Sequence, residues 1–262
     1  MPTVLLVRHG RTTANASGVL AGWAPDVALD EVGQDQASAL GVRLHTAGMP
    51  LARLVSSPLP RCLQTAQLLA AQLPAPEGER GIPIETDERL GECRYGAWTG
   101  RPLKDLAAEA LWRTVQDQPS AAVFPDGEAF PGESLAGMSA RAIAAIRELD
   151  REVESAHGAH AVWLAVSHGD VIKAVLADAL GLHLDQFQRI HVDPASVSVV
   201  TYTSRRPAVV RVNDVVGPLV GLVPAPPRPA EGEGEGHSEG ALPGDAEVGG
   251  GAGAANPTGS AG

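Results

Sequence analysis

Two apolar segments of this 262-residue chain end in the same way, and that feature constrains the possible folds most. Leu6-Val7-Arg8-His9-Gly10 and Ala165-Val166-Ser167-His168-Gly169 each join a short apolar run, typical of a buried strand, to a histidine and a glycine. In an open α/β sheet, ligands bind outside the carboxyl ends of the strands. A single histidine there would more often be a hydrogen-bonded structural residue. Two of them, each followed by glycine, predict a functional site.

The rest of the pattern alternates strands with helices, which predicts an α/β three-layer sandwich with a mainly parallel central sheet. Strands are expected at Thr3–Val7, Leu54–Ser56, Ala161–Val166, Val197–Tyr202 and Ala208–Val212. Helices are expected at Gly33–Gly48, at Arg61–Leu73, at Leu103–Val115, from the cap Ser134 to Val153, and from Asp170 through Leu180. Residues 74–83 and 118–133 are interrupted by proline and glycine and are expected to be loops.

The composition of the chain changes near residue 218. Residues 1–218 carry the alternating pattern and are expected to form one folded domain, and hydrophobic residues make up 44% of the chain, enough for a core. Residues 219–262 form a tail rich in Pro, Gly and Glu, which cannot bury enough apolar surface to offset its chain entropy. The tail is therefore predicted to be disordered.

The overall charge and the cysteines exclude several classes of function. A net charge of −11 argues against a nucleic-acid partner, because no basic stripe is available to neutralise phosphates. Cys62 and Cys93 are the only cysteines and indicate neither a disulfide framework nor a zinc site. The apolar run before Arg8 is too short for a signal peptide, and no later stretch predicts a membrane span. A cytoplasmic protein without a membrane partner is expected.

Arginines accompany the predicted site. Arg8 precedes His9, and Arg61 follows a predicted strand end through Ser57-Pro58-Leu59-Pro60. Guanidinium groups match phosphate oxygens with two parallel hydrogen bonds, so two converging arginines predict a phosphate pocket. Asp170 opens a helix whose amino terminus also favours an anion.

Four segments, in the right order, resemble the motifs of the histidine phosphatase superfamily, which includes phosphoglycerate mutases. The segments are Arg8-His9-Gly10-Arg11-Thr12 with Asn15; Ser56-Ser57-Pro58-Leu59-Pro60-Arg61 with Gln64-Thr65-Ala66; Leu90-Gly91-Glu92 with Tyr95-Gly96 and Trp98-Thr99-Gly100; and Ser167-His168-Gly169. Gly22-Trp23 and Gly132-Glu133-Ser134 also stand where relatives carry them. The resemblance covers roughly residues 3–205 and implies a phosphoglycerate mutase-like fold.

The resemblance also implies roles for the matched residues. His9 would attack phosphorus to form a phosphohistidine, and the adjacent charge of Arg8 would keep its ring neutral. Arg8, Arg61 and His168 would hold the phosphoryl oxygens, while Glu92 would protonate the leaving oxygen and then activate water. Neither a metal nor another cofactor is expected, because relatives need none. The candidates for substrate binding are Asn15, Arg11, Gly22, Arg94 and Arg101.

The sequence also departs from its relatives in ways that bear on the reaction. Thr99 stands where many relatives have glutamate, and residues 104–132 offer only Arg113 where the cofactor-dependent mutases carry several substrate-binding arginines. Hydrolysis of a small phosphorylated metabolite is therefore favoured. A phosphoglycerate mutase and a non-catalytic phospho-ligand binding protein stay as alternatives. His157-Gly158-Ala159-His160 lacks a third ligand nearby, so a metal site there is not expected.

Overall fold

The computed structural model describes residues 2–48, 50–74, 81–215 and 249, and it confirms the predicted fold class. The six strands are β1 (Thr3–Arg8), β2 (Leu51–Ser56), β3 (Ile84–Thr86), β4 (Val162–Ser167), β5 (Val197–Tyr202) and β6 (Pro207–Asp214). The α-helices of the described residues are α1 (Thr13–Ala16), α2 (Glu31–Thr46), α3 (Pro60–Gln72), α4 (Leu103–Leu106), α5 (Ala110–Asp117), α6 (Leu135–His157) and α7 (Gly169–Ala179). Short 3₁₀ helices lie at Glu88–Leu90, Gly96–Trp98, Pro119–Ala121 and Leu184–Arg189.

The strands lie in the order β3-β2-β4-β1-β5-β6, with the first four parallel and the last two antiparallel to their neighbours. Arg8 pairs with Ser167, and Ser56 pairs with Val166, so β1, β4 and β2 end at the same edge of the sheet. The residues that follow these three ends, His9, His168 and Ser57, are consequently neighbours.

Side chains of the central strands alternate between two hydrophobic cores, as the two-residue period of a strand requires. On β1, Val4 and Leu6 face the core beneath α6 and α7, whereas Leu5 and Val7 face the core beneath α2 and α3. All four side chains are buried. The sheet is therefore covered on both faces, and its carboxyl edge is where polar side chains can meet a ligand.

The loop after β1 is held against the start of α2 by direct backbone contact. A Cβ atom added to Gly10 would lie 2.3 Å from the carbonyl oxygen of Gly33, and one added to Gly33 would lie 2.0 Å from that of Arg11. The N–H of Arg11 donates to Oε1 of Gln36 at 3.0 Å, and the N–H of Asp30 donates to the carbonyl of Arg11 at 3.1 Å. Only glycine allows this approach, which fixes the loop that carries His9.

The structure differs from the predicted elements in two places. The single helix expected over Leu103–Val115 is wrong, because the chain forms α4 and α5 with a break at Glu109, whose backbone is extended. The break lets the Glu109 carboxylate accept from Nε1 of Trp98 at 2.8 Å and pair with Arg101 at 2.6 Å. The three-residue strand β3 was not predicted, since one half-buried and two exposed residues carry no periodic signal.

The prediction of a disordered tail over residues 219–262 lies outside the described residues, apart from Gly249. None of the helices formed by the described residues is long and apolar enough to cross a membrane. Within the same residues, no three His, Cys, Asp or Glu side chains are grouped so that they could hold a metal ion.

The close packing of Gly10 and Gly33 leads to a prediction about stability. We expect Gly33→Ala to lower the free energy of unfolding by about 1–3 kcal/mol, because the added methyl group overlaps the backbone of Arg11. Urea denaturation of the full chain measures the change. Gly81→Ala is the matched control, because its Cβ would meet no atom within 4 Å. A Gly33→Ala protein as stable as this control would contradict the packing argument.

Candidate active site

The hydrogen bonds of His9 define which of its ring nitrogens can react. Nδ1 lies 2.7 Å from the carbonyl oxygen of Gly10, and a carbonyl oxygen can only accept. In the neutral ring the proton is therefore on Nδ1, and Nε2 carries a lone pair. Nε2 accepts a hydrogen bond from Nε of Arg61 at 3.3 Å, which agrees with this tautomer. The ring is 2% exposed and presents its basic nitrogen to a cationic environment.

Arg61 lies at the start of α3 and brings an unsatisfied donor to the site. Its Nη2 donates to the carbonyl oxygen of Gly22 at 2.8 Å, while its Nη1 is buried and has no hydrogen-bond partner among the residues that the structure describes. Leaving a buried N–H group of a cation without an acceptor is costly. An anion that supplies an oxygen to Nη1 would satisfy this group, which makes the position a candidate phosphate site.

His168 lies beside His9, with 5.3 Å between the ring centroids and 62° between the ring planes. Its Nε2 is 2.8 Å from Oγ of Ser57, the residue that follows β2. Arg8, at the end of β1, is also buried and donates from Nη1 to the carbonyl oxygen of Val192 at 2.8 Å. The structure therefore brings His9, Arg61 and His168 together, with Arg8 buried at the adjoining strand end.

Both imidazoles are kept neutral by their surroundings. Burial is the largest cause that holds the pKa of His9 well below its ordinary value, and the nearby charges of Arg61 and then Arg8 lower it further. The prediction that the charge of Arg8 keeps the His9 ring neutral is therefore incomplete, because burial and Arg61 contribute more than Arg8. Burial and Arg61 likewise hold the pKa of His168 well below its ordinary value. A neutral imidazole is the form in which a histidine can act as a nucleophile.

Glu92 is 3% exposed and lies at the same site. Its Oε1 accepts from the N–H of Cys93 at 2.9 Å, and its Oε2 is 3.9 Å from Nδ1 of His168. Because His168 is neutral, this contact is not an ion pair. Burial raises the pKa of Glu92 to about 7, with a second contribution from the negative charge of Asp170, while Arg61 and Arg8 act in the opposite direction. A carboxyl group with this pKa can donate and accept a proton near neutral pH.

The backbone around Glu92 is held by side chains whose role the sequence analysis did not predict. Arg141, on α6, donates from Nη1 to the carbonyl oxygens of Arg89 at 2.7 Å and Gly91 at 2.9 Å, and from Nη2 to that of Glu92 at 2.9 Å. Nε1 of Trp23 donates to the same Glu92 carbonyl at 2.5 Å. Arg141 belongs to no motif of the sequence, so only the packing of α6 reveals it.

Two hydroxyl groups of the second motif also support the site. Oγ1 of Thr65 accepts from the N–H of Gly10 at 3.1 Å and donates to the carbonyl oxygen of Arg61 at 2.7 Å, so it joins the loop of His9 to α3. Ser57 contacts His168 as described above. Both residues lie in the segment that resembles the second motif of the superfamily. Their spacing from Arg61 was the signal that could have identified them.

Of the five predicted substrate-binding residues, two line a cleft over His9 and three do not. Asn15 and Gly22 line a cleft over His9, and Oδ1 of Asn15 accepts from the N–H of Thr12 at 3.1 Å. Arg11, Arg94 and Arg101 are not among the residues that line this cleft. Arg11 pairs with Asp30 at 2.8 Å, Arg101 pairs with Glu109 at 2.6 Å, and the guanidinium of Arg94 stacks 3.9 Å from the ring centroid of Trp23.

The cleft is lined by polar, chemically reactive groups and by apolar side chains. Among the described residues that line it, Arg61 is the only cation. The polar and reactive groups include His9, Thr12, Asn15, Arg61, Glu92 and Tyr95, and the apolar side chains are Ala14, Val19, Leu20, Ala21 and Leu103. Gly249 of the tail also lies at the cleft, where its N–H donates to Oδ2 of Asp170 at 3.2 Å.

The sequence of the chain is similar to those of known proteins. The sequence profile of the histidine phosphatase superfamily (branch 1) matches residues 4–215. The chain is 33% identical over 204 residues to the probable phosphoglycerate mutase GpmB of Yersinia enterocolitica, covering 77% of this chain and 86% of that protein.

The fold of the chain is also similar to those of solved structures. YhfR of Bacillus stearothermophilus superposes with a TM-score of 0.69 at 27% identity, covering 82% of this chain and 98% of that one. A mycobacterial glucosyl-3-phosphoglycerate phosphatase in complex with VO3 superposes with a TM-score of 0.64 at 26% identity, covering 80% and 98%.

The hydrogen bonds and burial of the two histidines predict their protonation states. At pH 6, below the ordinary histidine pKa of 6.5, we expect His9 and His168 to be neutral, with the His9 proton on Nδ1. Long-range ¹H–¹⁵N correlation spectra of the ¹⁵N-labelled full chain report both properties, and His9→Ala and His168→Ala identify the signals. An imidazolium at position 9 at pH 6, or a proton on its Nε2, would contradict the geometry.

Proposed function

The chain belongs to the histidine phosphatase superfamily, and we propose that it is a phosphomonoesterase that acts through a covalent phosphohistidine at His9. One observation carries the proposal: the lone pair of His9 Nε2 and the unsatisfied Nη1 of Arg61 belong to side chains in direct contact. A nucleophile beside an unfilled cationic donor suits a phosphoryl group, whose phosphorus is attacked while its oxygens carry negative charge.

In the first step, Nε2 of His9 forms a bond to phosphorus as the bond from phosphorus to the ester oxygen breaks. Arg61 and Arg8 stabilise the charge that spreads over the phosphoryl oxygens. The hydroxyl of Ser57 can donate to Nε2 of His168, which leaves the Nδ1–H of His168 for one of these oxygens. Glu92, buried and protonated, transfers its proton to the leaving ester oxygen, so that a neutral alcohol departs.

In the second step, the Glu92 carboxylate accepts a proton from a water molecule as that water attacks the phosphorus of the phosphohistidine. The bond between phosphorus and Nε2 breaks, and His9 returns to its neutral form because the Gly10 carbonyl retains its proton on Nδ1. Inorganic phosphate is released, and Glu92 is again protonated. In this scheme the positive charge that a metal ion would otherwise supply comes from Arg8 and Arg61.

The charges around the cleft favour hydrolysis over the alternative of a phosphoglycerate mutase. A mutase must retain a substrate with a second anionic group, and Arg61, which the first phosphoryl group uses, is the only cation among the described lining residues. Arg11 and Arg101 are each paired with a carboxylate. The mutase alternative keeps one specific support, namely the similarity to the probable phosphoglycerate mutase of Yersinia.

The organic part of the substrate is therefore proposed to be a small metabolite without a second strongly charged group. The apolar side chains of Ala14, Val19, Leu20 and Leu103 line the wall that such a group would contact. The predicted cytoplasmic location and the assignment of residues 1–218 to one catalytic domain stay predictions of the sequence.

The covalent step can be tested directly. We expect brief incubation with a ³²P-labelled phosphomonoester, followed by denaturation in alkaline detergent, to leave label on histidine, because phosphohistidine survives at high pH. His9→Ala should abolish the label and lower kcat/KM by about 10³-fold or more. His160→Ala, at an exposed histidine, is the control. An active His9→Ala enzyme would contradict the proposal. Phosphate binding by the wild-type protein without label or turnover would favour a non-catalytic binding protein.

Hydrolysis and isomerisation can be distinguished with a substrate panel. In the presence of EDTA, we expect phosphate release from neutral sugar and alcohol phosphates to persist, because no step of the scheme uses a metal ion. With 3-phosphoglycerate we expect hydrolysis to exceed isomerisation, whether or not 2,3-bisphosphoglycerate is present. Isomerisation that depends on the bisphosphate and outpaces phosphate release would establish the mutase instead.

A further inference from the structure

Asp170 is a buried carboxylate that the proposed mechanism does not use. It lies in the first turn of α7, is fully buried, and accepts from the hydroxyl of Tyr95 through Oδ2 at 2.8 Å. The ammonium of Lys173 lies 3.5 Å from Oδ1, but Oδ1 has no hydrogen-bond partner among the described residues. A carboxylate buried with incomplete hydrogen bonding is costly to the fold, which points to a function.

Two residues, Tyr95 and His168, connect Asp170 to Glu92. Tyr95 follows Glu92 by three residues, lines the cleft with it, and contacts Asp170 through its hydroxyl. On the other side, Asp170 follows His168 by two residues, and Nδ1 of His168 is 3.9 Å from Oε2 of Glu92. Two carboxyl groups therefore share one buried region beside the nucleophile.

Four groups that attract negative charge surround the Asp170 side chain. Tyr95 donates a hydrogen bond, the N–H of Gly249 donates another at 3.2 Å, Lys173 supplies a positive charge, and the amino terminus of α7 adds its dipole. Among the described residues, the Glu92 carboxylate accepts a hydrogen bond only from the N–H of Cys93. A negative charge near a buried carboxyl group favours the protonated form of that group.

The groups that face Glu92 show why a second negative charge matters. Arg61 and Arg8 are cationic and, together with the N–H of Cys93, favour the carboxylate form of Glu92. His9 and His168 are neutral, and the buried Tyr95 and Cys93 side chains are uncharged, since burial raises the pKa of both well above its ordinary value. Asp170 is a described group whose charge opposes the effect of the two arginines on Glu92, and phosphate binding requires those arginines.

We propose that Asp170 is a positioning residue whose fixed negative charge keeps the proton on Glu92 until the leaving oxygen takes it. This inference rests on the proposed function, because it assigns Asp170 a task in the protonation of the leaving group. Asp170 is not among the residues that line the cleft, so in this proposal it acts only through Glu92 and Tyr95. A purely structural role, in which Asp170 only adds negative charge to the first turn of α7 and anchors Tyr95, would stabilise the protein without affecting the proton of Glu92.

The pH dependence of kcat/KM separates these roles. The protonated form of Glu92 is required for leaving-group departure, so activity is complete below its pKa, about 7, and is lost above it. Asp170→Asn removes the charge but keeps an acceptor for Tyr95. We expect the alkaline limb to move about one pH unit toward lower pH, while activity on the acid side of that limb stays within a few-fold of the wild-type value. Asp170→Ser, which cannot overfill the site, should shift it in the same direction.

Asp150→Asn is the matched control, because Asp150 is also buried but accepts from Nε1 of Trp163, near the opposite end of β4. It should leave the alkaline limb where the wild-type protein has it. If folded Asp170→Asn and Asp170→Ser proteins keep the wild-type limb and lose only stability, the inference is overturned and the structural role stands.

A second measurement does not depend on turnover. The infrared C=O band of protonated Glu92, identified by its loss in Glu92→Gln, should titrate near pH 7 in the full chain and at lower pH in Asp170→Asn. An unchanged midpoint would overturn the inference even if activity were absent. A wild-type protein that hydrolyses no phosphomonoester would overturn the proposed function instead, so the two failures are distinguishable.

Discussion

Hydrogen bonds between β1 and β4 place Arg8 opposite Ser167, and the contacts of the active site follow from that register. Because the two strands are parallel and central in the sheet, the residues after their ends, His9 and His168, are brought to 5.3 Å between ring centroids. The neighbouring strand β2 delivers Ser57 to His168. A shift of one residue in the β1–β4 pairing would turn the core side chains of one strand to the wrong face, so the hydrophobic cores themselves hold the geometry of the candidate site.

A balance of buried charges connects this geometry to chemistry. Arg8 and Arg61 are held inside the protein, where a phosphoryl group would neutralise them, and their charge together with burial keeps His9 neutral. The same two arginines would deprive Glu92 of its proton if nothing opposed them. Burial of Glu92 and the charge of Asp170 supply that opposition. The site can therefore contain a basic nitrogen and a protonated carboxyl group at the same pH, which a nucleophile and a general acid both need.

Much of the fold was predictable because its signals are local. The strands at Thr3–Arg8 and Val162–Ser167 contain continuous apolar runs, and α6 begins after its predicted cap, Ser134, whose hydroxyl accepts from the N–H of Gly137. The break between α4 and α5 was not predictable, since Glu109 gives up a helical backbone for contacts with Trp98 and Arg101, which no helix pattern encodes. Strand β3 depends on its pairing with β2 and has no pattern of its own.

The identities of the reactive groups were determined by the sequence itself. Two His-Gly pairs after apolar strands, two arginines and a glutamate in family-like order were enough to predict the candidate site and the superfamily, because each motif is a short run of neighbouring residues. Only the tertiary structure decided how those groups are tuned: which nitrogen of His9 is basic, which surface arginines are already paired, and that Arg141 and Asp170 act on the segment of Glu92. These properties arise from burial and from contacts between residues far apart in the chain, and neither has a local signature in the sequence.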